Sequence, residues 1–532
     1  MKRREFLTKG VQLGVAANAL GFIGSAMTPI QAFGRSPLRG ALSTASTNDN
    51  ILVLVQLLGG NDGLNCLVPV KDPQYTALRP NLRINRSGID LKVLPDHDSL
   101  AMHDRMAAAF PLYTARKMAI LQNVGYANPE LSHFRGADIV HTATDSNIYK
   151  HTGWLGRLLS DQNPGFDPTK VVAGSSPLGV NLGSATSNIF LAKSGGMGVP
   201  LSHLPDAGNS AAHNYDPIPS NPSTAYQTLD FVRSVQKETE VYSDTIAKRA
   251  IKANRVTYPS TEFASNMASV AQMIASGFST KVYVVTHSGY DHHSNLLSGQ
   301  AGLLNDLSEA LMAFQNDLEA FKVADNVVTM TYSEFGRRPA ENGSGTDHGT
   351  SYPLFVIGTR VSGGVRGADP DLVNLVNNNL NYDPDHEFRN VYATVLSEWL
   401  GISDAEISNV LTSSNGETYS TITKFKKLGL FWPAGVAPET SQSAGFGLTL
   451  GQNYPNPSRG STTIEFAIPQ STHVELGVWD VGGREIARIV DGTLAAGPHR
   501  AVLATGSLAE GTYIYRLKTP LSQITKQMTV VR

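Results

Sequence analysis

Ile51-Leu52-Val53-Leu54-Val55-Gln56-Leu57-Leu58 is apolar at every position but Gln56 and stops at Gly59-Gly60. A strand with one wet face alternates apolar and polar residues, whereas a run apolar throughout is covered on both faces. Similar runs recur at Met118 to Val124, Lys281 to Thr286, Val327 to Tyr332 and Leu354 to Ile357. Helical patterns lie between them. From Gly302 to Phe321, Leu303, Leu304, Leu307, Leu311, Phe314, Leu318 and Phe321 recur at three and four; from Phe388 to Leu400, Val391, Val395, Trp399 and Leu400 share a stripe. Strands alternating with helices predict an α/β fold, a mostly parallel sheet covered by helices. The polar segment Ser202 to Ser223, rich in Pro, Asn and Ser, reads as a long loop or lid.

This α/β core runs over residues 51–432. A linker by composition, 433–445, follows from Pro433-Ala434-Gly435. Beyond it the period changes to two: Thr463 to Ile468, Val474 to Trp479, Ile486 to Val490, Thr512 to Leu517 and Lys526 to Val531. Short strands parted by turn signals such as Gly482-Gly483 predict a small all-β immunoglobulin-like sandwich over 446–532.

Upstream, Lys2-Arg3-Arg4-Glu5-Phe6-Leu7 precedes a mild, glycine-broken apolar stretch from Val11 to Met27. Paired arginines before a weakly hydrophobic segment are the address read by the twin-arginine export machinery, which moves folded proteins. An ordinary secretory signal or a membrane anchor is the alternative. Residues 1–32 are read as the leader, with cleavage near Ala32, and 33–50 as a mobile mature start. The chain has 532 residues, 41% hydrophobic and 17% charged, with a formal net charge of −2. That balance gives no basic field for nucleic acid. Cys66 is the sole cysteine, so no internal disulfide forms. After the leader no apolar run reaches the roughly 18 residues of a membrane span, which predicts a mature protein that is soluble or surface-attached.

Four acidic or histidine clusters follow predicted strands: Gly59-Gly60-Asn61-Asp62-Gly63, His287-Ser288-Gly289-Tyr290-Asp291-His292-His293, Ser333-Glu334-Phe335-Gly336-Arg337-Arg338 and Gly345-Thr346-Asp347-His348-Gly349. In an open parallel sheet the strands' carboxyl ends share one edge, so such loops can converge. Their carboxylates and imidazoles suit zinc, manganese, magnesium or calcium. An Asp after a strand also serves simply as a turn or helix cap. Ser132, at the start of a predicted helix, is either that helix's cap or a nucleophile that a divalent ion helps to deprotonate. Arg337 and Arg338 are candidate clamps for an oxyanion.

On these motifs, with Ser132-His133-Phe134, residues 1 to about 432 resemble the twin-arginine-exported bacterial family of domain of unknown function 1501. That family resembles the alkaline phosphatase and sulfatase superfamily. Carried over by chain order, the resemblance implies a nucleophile at Ser132 and divalent-metal ligands at Asp62, Asp291, His293, Asp347 and His348. Where that superfamily has an Asp-His step, this chain has Glu334-Phe335, which makes Glu334 a further candidate metal ligand and keeps a one-metal and a two-metal site both open. No Cys or Ser stands in the C/S-x-P-x-R context of a sulfatase. Gln452-Asn453-Tyr454-Pro455-Asn456-Pro457, Val478-Trp479-Asp480-Val481-Gly482-Gly483-Arg484-Glu485 and Gly511-Thr512-Tyr513-Ile514-Tyr515-Arg516-Leu517 resemble the C-terminal sorting domain read by the type IX secretion machinery, the alternative being a carbohydrate-binding module. The functions implied are a secreted metal-dependent hydrolase of phosphate-type esters, a noncatalytic surface protein on the same fold, or an enzyme that modifies envelope polysaccharide.

Overall fold

The structure is a computed structural model that describes residues 48–432 and 449–531, apart from 86–88, 168–170, 172–173, 184–187, 202–203, 205–238, 250, 469–471, 495–496 and 520–522. The expected leader, the linker and nearly all of the expected lid lie outside the described residues. The chain divides at Ala434 into two compact units.

The first unit is built on eight strands: β1 (Ile51–Leu58), β2 (Met118–Val124), β3 (Gly179–Leu182), β4 (Val199–Leu201), β5 (Val282–Ser288), β6 (Val327–Tyr332), β7 (Tyr352–Ile357) and β8 (Gly364–Arg366). Their order across the sheet is β8-β2-β7-β6-β1-β5-β3-β4. The all-apolar β1 lies at the centre and pairs parallel with β5 and β6, Val53 standing between Tyr283 and Thr329. β3 pairs parallel with β5, β4 with β3, and β8 with β2. Only β7 runs the other way, antiparallel to both β6 and β2. A parallel return needs a crossover, usually a helix; the connection from β6 to β7 contains none, so the chain turns back.

Alternate residues of β1 enter two cores. Val53, Val55 and Leu57 pack with Met267 of helix α3 (Glu262–Ala275) and Leu304, Leu307 and Leu311 of α4 (Leu296–Phe321). Leu52 and Leu54 face Ile139 of α1 (His133–Thr142), Leu155 of α2 (Trp154–Gln162) and Val391 of α5 (Phe388–Thr394). Each such side chain contributes about 1.5–3 kcal/mol by leaving water, which is why β1 is apolar on both sides. The helix expected from Gly302 begins earlier, at Leu296. The stripe expected from Phe388 to Leu400 is α-helical to Thr394 and continues as a π-helical turn, Val395–Trp399.

In the second unit every expected strand is present and the main pairings are antiparallel. Ser461–Ile468 pairs with Gly497–Ala504; Thr472–Asp480 lies between Glu485–Leu494 and Gly511–Lys518, and the latter pairs with Gln523–Val530. Ile464, Phe466, Val474, Leu476, Val478, Tyr515, Leu517 and Met528 form its core.

Candidate metal centre

β1, β5 and β6 run parallel, so their carboxyl ends, Leu58, Ser288 and Tyr332, open onto one edge of the sheet. Two glycines let the following loops touch there. Gly59 has φ +123°, and a Cβ on it would come within 2.4 Å of the Asp291 amide nitrogen; only a residue without a side chain fits both demands. A Cβ on Gly345 would stand 2.2 Å from the carbonyl carbon of His293, so the loop before β7 also lies directly on 291–293.

The side chains these contacts bring together surround Asp291. His133 Nε2 lies 3.3 Å from Asp291 Oδ2, and His348 Nε2 and His293 Nε2 lie 3.4 and 3.3 Å from Oδ1. One donor atom from each of His133, Asp291 and His348 falls within 4.8 Å of the others. The tautomers follow from the partners behind the rings. His348 Nδ1 is 2.6 Å from the Leu131 carbonyl, which only accepts, so Nδ1 carries the hydrogen and Nε2 presents a lone pair. His133 Nδ1 is 2.8 Å from Glu334 Oε1, which also accepts from the Gly59 N–H at 2.8 Å. His133 Nε2 is thereby aimed at Asp291, shielded from water and without a hydrogen-bond partner. His348 Nε2 lies 2.9 Å from His293 Nε2, so only His133 leaves its second nitrogen bare; an imidazole held from behind by a carboxylate or carbonyl is the usual posture of a metal-ligating histidine. Separations of about 3–5 Å suit donors on one cation with bonds of roughly 2.0–2.2 Å. The orphaned nitrogen, the fixed tautomers and the ionised carboxylate fit a divalent ion.

Charge and burial act differently on the three groups. Burial pushes the Asp291 carboxyl up, but the Arg337 guanidinium at 2.5 Å, with His133 and His293, brings it down to about 2. The hydrogen bond to Glu334 raises His133 against the opposing effect of burial. Burial lowers His348, helped by the charges of Arg337, His133 and His293.

Other residues expected at the site are used differently. Asp62 caps the short helix Gly63–Cys66 and forms a fully buried ion pair with Arg79 at 2.7 Å, its second oxygen accepting from Thr346 Oγ1; its lone pairs are spent inside the fold, a correction to its reading as a ligand. Glu334 is wholly buried behind His133, where one oxygen accepts from His133 Nδ1 and the Gly59 N–H. Asp347 accepts from Asn342 Nδ2 at 2.6 Å and faces the far nitrogen of His293 at 3.4 Å. Arg337 is no substrate clamp: its side chain is buried and donates to the carbonyls of Gly59, Gly60 and Thr346 and to Asp291. Ser132 is the N-cap residue of α1, half-buried, and its hydroxyl makes no capping bond. Its chain neighbours are Leu131, whose carbonyl holds the His348 ring from behind, and His133 of the cluster. His133 was not singled out as a ligand from the sequence; its signal was its place beside Ser132 at a helix start.

The fold is thus a mostly parallel sheet covered by helices, carrying a histidine–aspartate cluster at the carboxyl edge, followed by an antiparallel all-β unit. Residues 151–407 match the family described as "Protein of unknown function (DUF1501)", and residues 452–531 match the "Secretion system C-terminal sorting domain". Both families read from the motifs are found. The sorting domain marks the chain for the cell surface or secretion. No helix among the described residues is long and apolar enough to cross a membrane. Similar solved structures include the lipoteichoic acid synthase LtaP from Listeria monocytogenes, 10% identical over 61% of this chain and 67% of that one, TM-score 0.26. An alkaline phosphatase from an Antarctic bacterium is 9% identical over 60% of this chain and 94% of that one, TM-score 0.24. A sulfatase from a Pseudoalteromonas species is 11% identical over 86% and 84%, TM-score 0.29. No curated protein matches the chain.

Proposed function

We propose that this chain is a secreted or surface-held, metal-dependent hydrolase of phosphate-type esters. The observation that supports this is the convergence of His133 Nε2, Asp291 and His348 Nε2, with both imidazoles pinned from behind and Ser132 next to His133 in the chain. His133, Asp291 and His348 would hold one divalent ion, with His293 beside them; two nitrogen donors favour zinc or manganese over magnesium or calcium. Such an ion, when bound, polarises a phosphoryl oxygen and lowers the pKa of a neighbouring hydroxyl. The protein's part is to orient. Glu334 and the Leu131 carbonyl fix the two rings, Arg337 keeps Asp291 ionised, and Ser132 offers a hydroxyl that the helix leaves uncapped. The free N–H groups and positive dipole end of α1 favour an anion beside it. In this reading the twin-arginine leader exports a folded core and residues 446–532 direct the second passage.

The noncatalytic alternative draws on the use of Asp62 and Arg337 as buried structural ties. Reconstitution with zinc or manganese, metal analysis and assays on aryl phosphate mono- and diesters separate the two. The hydrolase reading expects about one ion per chain and turnover that Ser132→Ala abolishes while the ion stays. A bound ion without turnover on either ester class supports the surface protein, and absence of both ion and turnover refutes the metal centre.

A further inference from the structure

Phe134, one residue past the cluster histidine, leaves 91% of its surface in water, the largest exposure among the described large hydrophobic residues. A second exposed ring is tied to the same helix through Arg135. Tyr149 is 73% exposed, and the Arg135 guanidinium stands 3.9 Å from its ring centre. That guanidinium is itself fixed, donating to Asp138 and to the carbonyls of Ser146 and Ile148 at 2.9 and 2.7 Å. Tyr149 is therefore backed on one face by an immobilised cation and open elsewhere, and cation–π contact keeps the ring in place. Phe134 follows His133 at the first turn of α1 and is held by no comparable contact. The capping role of this turn needs no aromatic group, and neither ring contributes to the two cores of the unit.

We infer that Phe134 and Tyr149 form a substrate platform, taking esters whose alcohol carries a ring with a flat apolar face next to the phosphoryl group. The inference rests on the hydrolase reading for the position of the phosphoryl group. Stacking of a ring on an exposed aromatic side chain is tolerant of what the ring is, so an aryl group and a pyranose share the required chemistry.

The test measures binding, bound metal and stability separately. Phenyl phosphate, glucose 1-phosphate and methyl phosphate are titrated calorimetrically into the metal-loaded full chain and into Phe134→Ala, Tyr149→Ala and the double variant, with metal content and melting temperature measured for each. The wild type should bind one or both ring-bearing esters more tightly than methyl phosphate. Phe134→Ala should weaken that ring-bearing ester roughly tenfold, leaving methyl phosphate, bound metal and melting temperature unchanged. The arm that responds tells aryl from sugar. Equal loss for all three esters, or no loss in any variant, overturns the platform while the metal centre stands. Absence of metal and of binding by any ester in the wild type overturns the hydrolase reading, and the platform with it.

Discussion

Replacing Glu334 with glutamine keeps the shape of the side chain and removes its charge. The wild-type carboxylate is fully buried, and one oxygen receives both the His133 Nδ1–H and the Gly59 N–H at 2.8 Å. A hydrogen bond to a charged partner contributes about 1.5–3 kcal/mol against about 0.5–1.5 for a neutral one, so the glutamine loses roughly 1–1.5 kcal/mol at His133 while retaining the geometry. Because that bond sets the tautomer and aim of a metal ligand, zinc affinity should fall about 10–100-fold. Glu334→Ala goes further, leaving two buried donors without an acceptor at about 1–3 kcal/mol each. The metal-free alanine variant should therefore unfold at clearly lower denaturant. Competition for zinc against a chromophoric chelator at fixed pH and salt reads the first effect, and urea melts read the second. Zinc affinity within about twofold of wild type in Glu334→Gln, where holding the His133 ring from behind requires at least tenfold, would refute the claim that Glu334 aims His133 at an ion.

Asp62→Ala and Asp291→Ala should separate structural from ligating carboxylates. The first breaks a pair whose side chains are 1% and 0% exposed and should cost about 3–5 kcal/mol of stability, with no change in ions bound per folded chain; the second should abolish metal uptake at a smaller cost, since Asp291 is half-exposed and Arg337 keeps its carbonyl partners. Equal behaviour of the two in urea melts and metal analysis would contradict this. Asp145 ties the Ser420-Thr421 turn to Arg389; burial works to raise its carboxyl, but Arg389 and Thr421 outweigh burial and hold it below its ordinary 3.8. A depressed folded value means stability present above the unfolded value and lost as pH falls through the folded one. Melting temperature should therefore drop more steeply below about pH 4 for wild type than for Asp145→Asn, and parallel curves would exclude the assignment.

β1 was legible because a run apolar at both parities has one physical solution, burial between two layers. Direction was not legible. Tyr352–Ile357 is as apolar as its neighbours, and whether such a strand runs with or against them depends on the connection, here the helix-free loop from Ser333 to Ser351. The convergence of loops after β1, β5 and β6 was readable from topology alone. Which carboxylate faces outward was not, because Asp62 and Asp291 each follow a parallel strand within a few residues. Asp62 found Arg79, a partner invisible at sequence level, and turned inward. Arg337 looked like any loop arginine until five acceptors closed around it. His133 was obscured by its neighbour: a serine at a helix start draws notice as a cap or nucleophile, whereas the chemistry of the next residue depends on Glu334, two hundred positions away in the chain.

The contacts at Gly59 and Gly345 also set an order of events. The three donor atoms come from the start of α1, the loop after β5 and the loop before β7, and they meet only after the main chain has closed against Asp291 and His293. An unfolded chain holds no ready copy of this centre for an ion to gather. On the proposed metal centre, an ion that binds only the folded chain adds stability in proportion to the logarithm of its free concentration over its dissociation constant. The compartment in which the chain finishes folding would then set which metal the centre meets first.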